Sequence, residues 1–95
     1  MEKTINVLFF TEKEDNTKGA ILGVRDASTF GSIALKERIS KEIGYVLDIE
    51  NFDFNDVQSP LTKDEYDAMI YNISKRNEGE ILNYEFYWEF VDVIC

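Results

Sequence analysis

Ninety-five residues without histidine and with one cysteine, Cys95, exclude Ser/His and Cys/His nucleophile pairs, an intramolecular disulfide and a cysteine metal cage. A hydrophobic share of 44% suffices for one core, and no run approaches the roughly 18 uncharged apolar residues of a membrane span. The net charge of −9 lies wholly in residues 46–95, with 12 acidic against 3 basic side chains, whereas residues 1–45 hold 7 of each. This asymmetry disfavours contact with nucleic acid or an anionic membrane and steers basic partners to one side.

In chain order, "KTINVLFF" is β-branched and aromatic and predicts a strand. Ile5, Val7 and Phe9 point one way and Leu8 and Phe10 the other, so its later half is expected to be covered on both faces. "EKEDNTKG" is a polar loop, too long for a two-residue turn. "AILGVRDA" predicts a second strand with Ala20, Leu22 and Val24 on one face.

"STFGSIALKERISKEIGY" predicts a helix with Leu35, Ile39 and Ile43 on its apolar stripe. Ser28, Thr29 or Ser32 is its N-cap, and Gly44 suits the position past its end. "YVLDIENFDFNDV" alternates at first, with Tyr45, Leu47 and Ile49 inward and Val46, Asp48 and Glu50 outward. Phe52 and Phe54 then share parity with the acids, which calls for a β-bulge near Glu50 and Asn51 or a loop between two short strands.

After Pro60, Thr62 and Glu65 form a capping box. Tyr66, Met69, Ile70 and Ile73 recur at helical spacing behind it, Asp64, Glu65 and Asp67 suit the positive end, and Lys75 and Arg76 suit the other. "NEGE" turns the chain into a closing strand, "NYEFYWEFVDVIC". The expected architecture is α+β: a single domain over residues 1–95, with two helices layered on a mixed four-stranded sheet in the order strand, strand, helix, strand, helix, strand. Right-handed crossovers are expected where the joined strands are parallel.

Ligand motifs fail on spacing. "DIENFDFND" lacks the glycine and distal glutamate of an EF-hand loop, and no glycine-rich phosphate loop occurs, so no metal or cofactor is expected. The "NIS" at Asn72 falls in a predicted helix, and "MEKTINVLFF" shows no small-residue cleavage site after its short apolar run, so export is not expected and a cytoplasmic location is. Nothing basic adjoins Cys95 to activate its thiol.

What remains is a surface. With Tyr84, Phe86, Trp88 and Phe90 turned toward the helices, Glu85, Tyr87 and Glu89 line the other face, the two glutamates about 14 Å apart at the rise of a strand. Together with Asp48, Glu50, Asp53 and Asp56 they are the candidate partner-binding residues, forming a negative face uncompensated by basic residues of those strands.

In size and charge the chain resembles the small acidic DNA-mimic inhibitors of phages and mobile elements, the anti-restriction and anti-CRISPR proteins; no family motif is shared. The likeness implies a non-enzymatic protein that covers a basic, nucleic-acid-binding surface of another protein. Alternatives are an immunity protein or antitoxin capping a basic nuclease, a small carboxylate-pair enzyme, and an assembly subunit associating through a sheet edge.

Overall fold

A computed structural model describes residues 2–94 of the chain, and Cys95 lies outside the described residues. Four strands and two helices follow in the order β1 (Glu2–Glu12), β2 (Lys18–Val24), α1 (Ile33–Leu47), α2 (Lys63–Ser74), β3 (Gly79–Ile81) and β4 (Tyr84–Ile94). The sheet has the order β2-β1-β4-β3, and each neighbouring pair is antiparallel. The α+β class stands, with both helices on one face of the sheet, but the sheet is antiparallel and not mixed, and among the described residues no parallel crossover occurs.

The largest departure from expectation is at residues 45–54, which form no strand. Tyr45, Val46 and Leu47 continue α1, and Tyr45, expected inward, is 71% exposed. Ile43 and Leu47 are four apart, so the same residues satisfy a helical stripe as well as the two-residue alternation. Asp48 ends the helix in the left-handed region at φ 54°, its N–H directed at the Gly44 and Tyr45 carbonyls. Gly44, expected past the end, is buried inside the helix.

A single 3₁₀ turn at Ile49–Asn51 leads into a loop. There Phe52 and Phe54 pack on each other at 5.0 Å, and Phe54 meets Tyr66 at 5.6 Å. The parity slip at Phe52 is thus absorbed by a loop, without the bulge at Glu50 and Asn51.

The bulge that does exist lies in β2. Leu8 faces Leu22 while Phe9 faces Ala20, leaving Ile21 as the extra residue. Leu22 and Val24 keep the core, but Ala20 is turned to the opposite, exposed face, contrary to the expected shared face. Gly19 comes to lie opposite Phe10, where a β-carbon would stand 2.6 Å from the ring carbon Cε1.

The fourth strand is supplied by "GEI", read from sequence as part of a turn, and the true turn is Leu82–Asn83. Leu82 adopts φ 55°, a conformation that costs a residue bearing a β-carbon roughly 1–2 kcal/mol. Leu82→Gly relieves this against the larger unfolded-state entropy of glycine. The expected net gain is about 0.5 kcal/mol, a rise of roughly 2–4 °C in Tm by calorimetry.

The core joins Leu8, Leu22 and Val24 to Leu35, Ile39, Ile43, Ile70, Ile73, Ile81, Phe86 and Trp88. Ser32 caps α1 by accepting the Leu35 N–H, and the Thr62–Glu65 capping box of α2 is complete in both directions. Phe30 stands before α1, its ring set edge-on to Trp88 at 5.0 Å.

Tyr66 ties the two helices together, its hydroxyl donating to the Ser40 carbonyl at 3.2 Å, and burial raises the phenol's pKa above its ordinary 10.0. The neutral phenol is therefore favoured by folding. Its contribution to stability is complete below pH 10 and is lost as pH rises through the raised native value. Denaturation midpoints above pH 10 should fall more steeply for the parent chain than for Tyr66→Phe.

Candidate protein interface

Both helices cover the sheet face reached by Leu8, Phe10, Phe86 and Trp88, which leaves the other face without a second layer. Strand parity and register assemble that open face. β1 contributes Ile5, Val7, Phe9 and Thr11, β4 contributes Glu85, Tyr87, Glu89 and Val91, β2 contributes Lys18, Ala20 and Gly23, and β3 contributes Glu80. Coverage of the first strand on both faces is therefore incomplete: Val7 is buried between its neighbours, but Phe9 is only half-buried.

At the centre Phe9 and Tyr87 face each other across β1 and β4, their rings stacked at 5.8 Å and 21°. Glu85 and Glu89 flank Tyr87 along β4, and both are exposed. Glu80 lies directly across from Glu85. Two like charges in that position destabilise a sheet, and Lys13 of the β1–β2 loop offsets the repulsion by pairing with Glu80.

Two hollows border Tyr87. One, of about 400 Å³, is lined by Glu78, Gly79, Glu80, Glu85, Phe86 and Tyr87. The other, of about 340 Å³, is lined by Phe9, Lys18, Gly19, Ala20, Tyr87 and Glu89.

The candidate residues thus divide into two groups. Glu85, Tyr87 and Glu89 are displayed together as expected. Asp48, Glu50, Asp53 and Asp56 do not join them, because their segment belongs to the helical layer on the other side of the sheet.

Three of those four acids have local partners: Asp48 accepts from the Asn51 side chain at 2.8 and 2.9 Å, and Asp53 and Asp56 accept the N–H of Asn55 and of Gln58, each at 2.9 Å. These are turn-forming roles. Asp48 and Glu50 also border a separate hollow of about 270 Å³ with Tyr45 and Lys41. The single uncompensated acidic face is therefore replaced by a smaller one, with Lys13 and Lys18 at its margin.

On the helical side, Phe90 departs from its inward neighbours: Phe86 is 1% and Trp88 9% exposed, but Phe90 is 62% exposed. Arg76 covers part of its ring, the guanidinium standing 4.3 Å from the ring centre while Nε donates to the buried Asn6 at 3.0 Å.

Sequence reasoning missed Glu80 and Phe9 as members of the candidate face. The alternation of "GEI" and "YEF" about Leu82–Asn83 was the available signal for Glu80; Phe9 needed knowledge of which face the helices leave open.

Among the described residues no group of three His, Cys, Asp or Glu side chains is placed to hold a metal ion, and no helix is long and apolar enough to cross a membrane. No family model, curated protein or solved structure matches the chain.

Proposed function

We propose that this chain is a non-enzymatic, acidic protein-binding inhibitor whose open sheet face docks on a basic surface of another protein and denies that surface to nucleic acid. The observation that carries the reading is the Phe9–Tyr87 stack bordered by Glu80, Glu85 and Glu89 on a face with no covering layer. The stacked rings offer apolar area and the π-faces that arginine and lysine favour, and the carboxylates supply hydrogen-bond acceptors where phosphates would otherwise stand. Tyrosine is a favoured interface anchor, while surrounding charge sets approach and orientation.

Capture of partners on the immobilised chain, at low and at high salt, tests the reading. A basic, nucleic-acid-acting protein should be retained at low salt and released as screening shortens the reach of the carboxylates. Added DNA or RNA should compete with the chain for it. A single dedicated nuclease as the captured protein would place the chain among immunity proteins and antitoxins. Salt-resistant binding to an acidic or neutral partner would defeat the proposal.

A further inference from the structure

Beside the open face lies a second feature that a partner could use, the outer edge of β4. β3 pairs with β4 only from Tyr84 to Phe86, although β4 runs to Ile94. The direction of the main-chain groups follows from the bond of the Lys13 N–H to the Asn83 carbonyl, which continues the β1 ladder. Odd-numbered residues of β4 therefore hydrogen-bond toward β1, and even-numbered residues point the other way. Beyond Phe86, the N–H and C=O groups of Trp88, Phe90 and Asp92 face outward, with no main-chain partner among the described residues.

Such an edge is usually protected by proline, lysine, a bulge or a covering element. This stretch has no proline or lysine, and its register with β1 is unbroken. Its acids are Glu89 and Asp92, with Glu78 at the entrance, against one cation, the Arg76 guanidinium on the Phe90 ring, so the edge is net negative. Two copies pairing through this edge would bring those acids together, whereas a basic segment is attracted.

We infer that β4 takes an extended, basic strand of the partner along its outer edge, in line with β3; the inference rests on the basic-partner reading above. The two sides of the incoming strand meet different surfaces. On the open side its residues lie beside Tyr87 and Glu89 and next to the hollow lined by Glu78, Glu80 and Glu85, which suits lysine or arginine. On the helical side they meet the part of the Phe90 ring that Arg76 leaves exposed, which suits an apolar side chain. The chemistry recognised is therefore an alternating basic and apolar strand, held by main-chain hydrogen bonds and selected by its side chains.

The test uses the full chain and three synthetic probes: a short peptide alternating lysine and valine, the same peptide N-methylated at every second amide, and a lysine–glycine peptide of equal charge. The alternating peptide should bind at low salt and slow hydrogen exchange at the amides of Trp88, Phe90 and Asp92. N-methylation should weaken binding about tenfold or more. Phe90→Ala removes the ring but keeps the outward N–H and should weaken binding about threefold, whereas Phe90→Pro removes the ring and that N–H without touching the β1 ladder and should weaken it about tenfold or more, so the difference between the two reads the main-chain bond.

Equal binding of all three peptides without amide protection would overturn edge pairing and leave the acidic-face reading standing. Protection that survives Glu85→Lys/Glu89→Lys would keep edge pairing and defeat the acidic-face reading. Protection of the same amides in a dimer of the chain alone, seen by sedimentation, would overturn the inference in favour of self-association, and so would failure of the alternating peptide to bind.

Discussion

Replacing Trp88 with alanine is expected to cost about 3–5 kcal/mol of folding free energy. That is a large part of the roughly 5–15 kcal/mol available to a domain of this size. Trp88 is 9% exposed and joins three parts of the fold. From β4 its indole N–H donates to the Ile73 carbonyl of α2 at 2.9 Å, and its ring receives Phe30 at 5.0 Å from the segment before α1.

Alanine removes the buried ring and leaves space that the rigid β1–β4 ladder cannot close. Trp88→Phe keeps most of the packing and loses the donor, for an expected cost of about 1–2 kcal/mol. Because Trp88 is the sole tryptophan, denaturation of the variants is followed by far-UV circular dichroism. Equal midpoints for the alanine variant and the parent would show that Trp88 does not link sheet and helices.

Reversing both flanking charges, Glu85→Lys/Glu89→Lys, is expected to slow association with the proposed basic partner about tenfold or more at low salt, with the difference shrinking as salt rises. The same double change should spare the fold. Glu85 stands opposite Glu80, so lysine at that position replaces a like-charge cross-strand pair by an opposite one, worth about 0.2–1 kcal/mol. Unchanged or slightly raised stability together with slower association separates an interface role from a structural one. Stopped-flow association and chemical denaturation measure the two effects. An unaltered association rate would refute the steering role of these carboxylates.

Much of the fold was legible in short segments. The Thr62–Glu65 box marked the start of α2 because its two hydrogen bonds are local to one turn. β4 was legible because Tyr84–Phe90 is dense in aromatic residues, which favour strands, with Glu85 and Glu89 on one parity. Residues 45–49 misled because Tyr45, Leu47 and Ile49 alternate while Ile43 and Leu47 also share a helical stripe. A run that short leaves the period undecided, and the choice fell to packing of the helix end, Phe52 and Phe54 around Tyr66.

β3 escaped notice for a related reason. Three residues carry little pattern of their own, and "GEI" is a strand only because β4 lies beside it.

The candidate surface divides along the same line. The sequence by itself determined the absence of histidine, the concentration of charge in residues 46–95, and the opposite orientation of Glu85, Tyr87 and Glu89 from Phe86 and Trp88. These follow from composition and from the two-residue period of a strand, both of which are local.

Only the tertiary structure decided that the helices share one side, that Glu80 and Phe9 belong with Tyr87, that Asp48, Glu50, Asp53 and Asp56 lie in the other layer, and that β4 outruns β3. Each of these depends on which distant segments pair and which face is covered. Non-local burial and register settle that choice, and no short stretch of residues encodes it alone.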